Sequence, residues 1–433
     1  MDPAFIQEDV QQFLLLLITA YQHVQVLYSM LVSIANAIMH GVALVHGKSR
    51  KWVEGRKNWR DHLRHWRAAH PGEVYWFHCA SLGEFEQGRP VMECLRRERP
   101  EVIILLTFFS PSGYEIRKNY AGADGVFYLP IDSRSGSSDF LDIIQPKGAI
   151  FVKYEYWPNY FLGCKNRGIP LIMISAILRP DQRFFGWSRF FWTPVLQCVS
   201  HYFVQDESTL KLLIGIGINH VTLAGDTRFD RVVEIAAKAN ELAEVQKWLF
   251  GAQVLIGGST WPEDERVLHS WWRRAPDEWK MVLVPHEIGS SHIQTIQRLW
   301  PDAMLWSQRT EAGWVRTRVV IIDEIGMLST LYRYATVAWI GGGFGAGIHN
   351  TLEAAAWGVP VVFGPRYGKF AEARGLIEVG GALGAPNEAE AHQLLMKLTV
   401  NSPEMARMGL AAGGFVVAGR GATDKIMSFL RAS

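Results

Sequence analysis

Residues 10–47 contain no Asp, Glu, Lys or Arg. Apolar runs at 13–18 and 30–45 lie inside this stretch, which exceeds the roughly 20 residues needed to cross a bilayer. Gln22, His23, Gln25, Asn36, His40 and His46 interrupt it, so an amphipathic core helix is the competing reading. Just beyond stand Lys48, Arg50, Lys51, Arg56, Lys57, Arg60, Arg64 and Arg67, against only Glu54 and Asp61. A basic flank of this kind puts the following domain on the cytoplasmic side and draws it to anionic headgroups. The acidic start (Asp2, Glu8, Asp9) lacks the basic region of a cleaved signal peptide. The segment reads as a membrane anchor.

From Glu73 the pattern becomes one of short apolar runs alternating with helix-period segments. Strands are predicted at 74–78, 102–108, 149–152, 171–175 and 201–204, with helices such as 85–97 and 137–144 between them. A second series follows at 254–257, 281–284, 319–322, 337–340 and 359–363. Alternation of this kind predicts a parallel α/β sheet with helices on both faces. The expected architecture is an anchor at 1–50, a Rossmann-like domain at 51–230, a linker at 231–251, a second Rossmann-like domain at 252–410 and a terminal helix at 411–433. Ligands would bind at the carboxyl ends of strands, in a cleft between the halves.

Composition narrows the chemistry. The 433 residues carry a formal charge of +2, which disfavours a polycation built for nucleic acid. The four cysteines (Cys79, Cys94, Cys164, Cys198) form no CxxC pair, so neither a zinc ribbon nor a disulfide framework is expected. The 17 Trp point to stacking on sugars or seating at a membrane interface. No D-x-D, H-x-x-x-H or Walker loop occurs, which removes the simplest sequence grounds for a catalytic metal or ATP hydrolysis.

Two constellations carry chemistry. The first strand runs into His78-Cys79-Ala80-Ser81-Leu82-Gly83-Glu84, where Glu84 has the position of a general base. Ser81-x-x-Glu84 is equally a capping box. The readings differ physically, because a desolvated base has its pKa raised and a capping carboxylate has it lowered. The second constellation is the strand 337–340 followed by Gly341-Gly342-Gly343-Phe344-Gly345-Ala346-Gly347-Ile348-His349-Asn350-Thr351-Leu352-Glu353. A strand, a glycine loop and a helix start make an anion site from backbone amides. The strand after it ends Phe363-Gly364-Pro365 without an acid, which disfavours a redox dinucleotide. Glu353 is a candidate acceptor for a ribose diol, or a cap paired with Asn350. Glu155, in Lys153-Tyr154-Glu155-Tyr156-Trp157-Pro158-Asn159, and Arg228, in Gly225-Asp226-Thr227-Arg228-Phe229-Asp230, sit at a strand end and at the linker. Each is a candidate site residue or a salt-bridged loop charge.

Taken together with Leu129-Pro130-Ile131-Asp132, these segments resemble the 3-deoxy-D-manno-octulosonic acid (Kdo) transferases of Gram-negative lipid A assembly, in the right order over roughly residues 50–420. The resemblance implies a GT-B fold and an inverting, metal-independent transfer of Kdo from CMP-Kdo to a hydroxyl of a lipid A precursor. It also implies an N-terminal anchor at the cytoplasmic face of the inner membrane. By position, Glu84 matches the base, and Glu155 and Arg228 match residues of transition-state stabilisation. Pro285, His286, Ile325, Gly326, Met327, Asn350, Thr351, Leu352 and Glu353 fall on the CMP-binding segments, and Gly343 of the glycine loop is the candidate for the donor's phosphate. The chain departs from the family pattern at Arg228 (usually Lys), at Pro285-His286-Glu287 (commonly Pro-Arg-His), at Met327 (often Glu) and at Ala354 (usually Pro). No cofactor is implied beyond the donor substrate, and no nucleic-acid partner.

The resemblance implies a phosphorylated amphiphile as acceptor, and Arg183-Phe184-Phe185-Gly186-Trp187-Ser188-Arg189-Phe190-Phe191-Trp192 offers basic and greasy surface together. A buried aromatic helix is the alternative. Two other functions stay open at this point: another GT-B enzyme, such as a UDP-sugar transferase or a sugar-nucleotide epimerase, and a non-catalytic membrane-tethered binding protein.

Overall fold

The computed structural model describes residues 3–432, and the chain forms two compact units. Met1–Thr227 and Gly421–Ser433 make up the first, Arg228–Arg420 the second. Each unit carries, among the described residues, one seven-stranded parallel sheet.

In the first unit the strands are β1 Val74–Cys79, β2 Ile103–Phe108, β3 Gly125–Tyr128, β4 Gly148–Val152, β5 Leu171–Ala176, β6 His201–Val204 and β7 Val221–Leu223. Their order across the sheet is β3-β2-β1-β4-β5-β6-β7. Successive side chains of a strand face opposite sides of its sheet. Both faces are covered here, so both sets are apolar. Val74 and Trp76 join one core with Phe140, Phe151 and Tyr160, while Tyr75 and Phe77 join another with Phe85, Leu106 and Ile150. The edge strands β3 and β7 lack a predicted counterpart. At four and three residues with partly exposed side chains, they are too short to print a period on the sequence.

The second unit holds β8 Gln253–Thr260, β9 Trp279–Pro285, β10 Met304–Leu305, β11 Val319–Ile321, β12 Val337–Ile340, β13 Val361–Phe363 and β14 Ala382–Gly384, in the order β10-β11-β9-β8-β12-β13-β14. The segment expected to be a linker belongs to this unit. Its helices Thr227–Lys238 and Ala243–Leu249 sink Val232, Val245, Trp248 and Leu249 into the core around β8. The expected single C-terminal helix is two. Ser402–Ala418 packs Met405, Met408, Ala412 and Val416 into the second unit. Gly421, with φ at +103°, then redirects the chain. Ala422–Ala432 finally buries Ala422, Ile426 and Met427 beside Val91 and Leu95 of the first unit.

The N-terminal helix spans Pro3–Val42, and its residues 23–42 are long and apolar enough to cross a membrane. Its inner face is tied to the first unit: Val24 and Tyr28 pack on the core, and the Tyr28 hydroxyl donates to Asp132 Oδ2 at 2.9 Å. Val26, Leu27, Met30, Leu31, Ile34 and Ile38 are exposed along the same helix. Asp2 lies outside the described residues, as do the side chains of Glu8, Asp9 and the run 13–18.

The basic flank that follows is partly structural. Arg56 is half-buried, donates to the carbonyls of Trp52, Phe109 and Leu129, and lies over the rings of Trp52, Phe109 and Tyr128. Arg60 pairs with Asp139, and Arg67 donates to the carbonyls of Ile144 and Gly72.

Candidate active site

Strand order in the first sheet reverses between β1 and β4, so their carboxyl ends lie side by side. Such switch points are where open α/β sheets receive ligands. Here β1 delivers Glu84 and β4 delivers Lys153 and Glu155. After β1 the chain turns into the helix Leu82–Glu98, with Ser81 as its N-cap accepting from the Glu84 amide. The Glu84 carboxylate reaches back to the Ala80 amide at 2.5 Å. The Ser81 half of the capping reading is therefore present, while the Glu84 carboxylate bonds one residue further back, at Ala80.

The electrostatics support the other reading as well. Glu84 is 6% exposed. Burial, and then the negative charge of Glu155, push its carboxyl up to about 8; the amides of Ala80 and Ser81 and the Lys153 ammonium offset this only in part. A proton acceptor of that basicity suits work near neutral pH. Lys153 holds its place with φ at +69°, a left-handed conformation costly for a side chain with a Cβ. Glu155 Oε2 lies 3.8 Å from Nε2 of the fully buried His78, whose Nδ1 is 2.9 Å from the Thr107 hydroxyl. Neither His78 nor Lys153 carried an assigned role in the sequence, because a lone charge at a strand end looks like any loop charge.

Two neighbouring motifs are structural. Asp132 accepts from the amides of Asn159 and Tyr160 and so caps the helix Pro158–Asn166. Asp226 and Thr227 fasten to Gln87 of the helix that carries Glu84.

In the second unit Arg228 Nη1 donates to Glu372 Oε1 at 2.8 Å, and Glu372 is buried. This sheet switches between β8 and β12, and the glycine loop leaves β12. Gly341 is required by contact: a Cβ there would sit 2.2 Å from the Ser259 carbonyl oxygen. Gly342, with φ at +89°, opens the turn.

The loop differs from the expected cradle in two respects. Many of its amides are already engaged: Gly345 and Gly347 donate to Gly342 O, His349 to Gly341 O, and Gly342 to Asp264 Oδ2. The helix that follows, Leu352–Ala355, has only four residues, so its dipole is correspondingly small. Glu353 lies in its first turn and accepts from the Asn350 side-chain amide at 2.9 Å, while Asn350 Oδ1 accepts from the Leu352 amide. Thr351 and Leu352 are fully buried and hold the loop from beneath.

Asp264, which the sequence did not single out, pins this loop. Fully buried in the helix Pro262–Trp272, it accepts from Trp261 N, Gly342 N and Trp339 Nε1. Pro285 closes β9, and the His286 amide donates to Thr260 O. The His286 ring is stacked between Trp261 (4.8 Å) and His349 (4.4 Å), both with interplanar angles of 26°. Ile325 is exposed, Gly326 has φ at +96°, and Met327 caps the helix Leu328–Leu331. The structure thus brings Glu84 and Glu155 together in one unit, and His286, Gly343 and Asn350 to the strand ends of the other. Among the described residues no group of three or more His, Cys, Asp or Glu is placed to hold a metal ion.

Comparisons with known proteins bear on the family and the fold. Residues 57–231 match the family model described as 3-Deoxy-D-manno-octulosonic-acid transferase (kdotransferase). The chain is 27% identical to the 3-deoxy-D-manno-octulosonic acid transferase of Haemophilus influenzae over 376 residues, covering 83% of this chain and 87% of that one. It is 28% identical to the enzyme of the same name from Aquifex aeolicus, covering 75% and 84%. Among solved structures, Acinetobacter baumannii MurG superposes with a TM-score of 0.54 at 13% identity, over 84% of this chain and all of the other. S. aureus MnaA, solved with UDP, gives 0.55 at 12%, over 83% and 96%. These two establish the GT-B fold.

Proposed function

We infer that this chain, related along most of its length to the 3-deoxy-D-manno-octulosonic acid transferases, moves Kdo from CMP-Kdo to a hydroxyl of a lipid A precursor in lipopolysaccharide core assembly. The transfer is an inverting one and needs no metal. Glu84 takes the proton of the acceptor hydroxyl as its oxygen attacks the anomeric carbon of Kdo. The bond from that carbon to the CMP phosphate breaks through an oxocarbenium-like transition state, and CMP departs with the electron pair. Developing negative charge on the phosphate calls for a fixed cation and polar donors. Arg228 is the cation, its guanidinium oriented by Glu372. Glu155, beside Glu84, keeps the base from losing its proton affinity.

The observation that carries this reading is the state of Glu84: anchored by the amides of its own helix start, yet raised in basicity by burial and a second carboxylate. A capping residue alone has no need of that environment.

The acceptor being a lipid, the N-terminal helix and Trp187 and Phe190 form the membrane-facing surface. Trp187 is 93% exposed and Phe190 52%, whereas Phe184, Phe191 and Trp192 are buried. The segment 183–192 is thus half core and half surface. Because Tyr28 is bonded to Asp132, the helix lies along the first unit, as an in-plane anchor on the cytoplasmic leaflet would.

The test is incubation of wild-type protein and Glu84→Gln with CMP-Kdo and lipid A precursor. Product from wild type and none from the variant supports the assignment. Turnover of a UDP-sugar instead selects another GT-B activity, and full function of the variant selects a binding protein.

A further inference from the structure

The Trp261–His286–His349 stack poses a question of proton placement. The indole Nε1–H of Trp261 can only donate, and it points at His349 Nε2 over 3.1 Å. His349 Nε2 must then be an unprotonated acceptor, so the single proton of a neutral imidazole stands on Nδ1. Burial and the neighbouring His286 ring push His349 down to about 4, which keeps it neutral across the physiological range. Its Cδ2–Nε2 edge is occupied, since a Cβ on Gly342 would lie 3.1 Å from Cδ2 and 3.3 Å from Nε2. The opposite edge carries Nδ1–H, which has no hydrogen-bond partner among the described residues. Turning the ring over within its plane would put Cε1 where Nε2 stands and strand the indole donor of Trp261.

We propose that His349 is a positioning donor for the nucleotide, its Nδ1–H fixed by the Trp261 indole and directed to an anionic phosphate oxygen of CMP. This deepens the proposed function and rests on it. The reason for such a donor lies in the loop itself. With the amides of Gly342, Gly345, Gly347 and His349 spent inside the turn, a side-chain N–H adds a fixed donor to the fewer that the loop keeps. His286 is the titratable group against the ring, and the charged groups bonded to the surrounding loop are Asp264, at the Gly342 amide, and Arg366, at the Gly345 carbonyl. A neutral donor makes phosphate binding insensitive to His349 protonation above about pH 5.

The test is calorimetric titration of the full chain with CMP, and with cytidine as the probe lacking phosphate. His349→Phe keeps a ring on His286 and deletes the donor; CMP Kd is expected to rise about tenfold or more, the worth of one hydrogen bond to a charged group. Cytidine binding should stay unchanged. His349→Asn places an amide N–H near the Nδ1 position and should recover most of the loss. Trp261→Phe frees the tautomer, so its CMP Kd should fall relative to that of the wild type as pH drops from 8 to 5.5, the titration of the CMP phosphate itself being common to both. Histidine ¹⁵N spectra of the wild type should show His349 as the Nδ1–H tautomer. Equal CMP Kd for wild type and His349→Phe, or an Nε2–H tautomer, overturns the inference. A wild-type chain that binds no CMP at all overturns the nucleotide reading itself.

Discussion

Replacing Glu84 with Gln should stabilise the protein while abolishing its chemistry. The substituted amide still presents an oxygen to the Ala80 N–H, so the helix cap survives, but the buried negative charge beside Glu155 is gone. Glu84 rises from an ordinary 4.5 to about 8 on folding. The folded chain therefore binds this proton more tightly than the unfolded chain does. The carboxyl imposes no penalty below about pH 4.5, and stability is lost as pH climbs through the folded value near 8. At ~1.4 kcal/mol per pH unit the full gap is an upper bound of ~5 kcal/mol, and relaxation of the surroundings reduces it to about 3 kcal/mol. For a unit of this size that is a rise of roughly 5–10 °C in the first unit's Tm above pH 8. Thermal unfolding of the full chain in detergent, at pH 8.5 and again near pH 5, measures it. The variant's advantage should be large at the higher pH and shrink toward zero at the lower. Transfer should fall by about 10³-fold, within the range for loss of a general base. Wild-type transfer should rise with pH toward a plateau near 8. An equal Tm difference at both pH values would refute the desolvated-base argument, and an undiminished transfer rate would refute the role.

Arg228→Ala leaves Glu372 buried and unpaired and should cost about 3 kcal/mol; adding Glu372→Gln should restore the Tm without restoring transfer, as denaturation and rate assays on the pair will show. Asp264→Ala removes the acceptor for Trp261 N, Gly342 N and Trp339 Nε1. It should cost about 3 kcal/mol or more and weaken CMP binding at least about tenfold by loosening the loop, whereas Asp264→Asn, keeping one acceptor oxygen, should lose less in the same titration. Replacing Trp187 and Phe190 together with Ser should weaken flotation with anionic liposomes by about tenfold or more, given the apolar area each can immerse, and shift stability by less than ~0.5 kcal/mol. Trp192→Ser, at a position only 7% exposed, should instead lower the Tm.

The alternating architecture was legible because most strands of each parallel sheet are buried on both faces and so stand out as short apolar runs between helical periods. His201–Val204 and Val337–Ile340 were read to the residue. What escaped was governed by edges and by tertiary docking. β3, β7, β10 and β14 are edge strands of two to four residues, below the length at which alternation is visible. The segment 231–251 has the look of a linker because its few apolar positions reveal their target only when Val245 and Trp248 reach the core of the second unit. In the site, Glu84 was legible as an acid at a strand end, but whether it caps or accepts protons depended on burial and on Glu155, which lies 71 positions further along. Asp264 and the ring stack were invisible for the same reason: Trp261, His286 and His349 come from the ends of three different strands, and no spacing rule joins them.

Incubating the detergent-solubilised chain with CMP-Kdo and tetraacyl lipid A precursor, and reading product mass together with released CMP, addresses the central claim most directly. The account predicts acceptor gaining one or more Kdo units with CMP released in equal number, and no gain with Glu84→Gln. An unchanged acceptor mass in the presence of active CMP-Kdo, or equal product from the Gln variant, would contradict it.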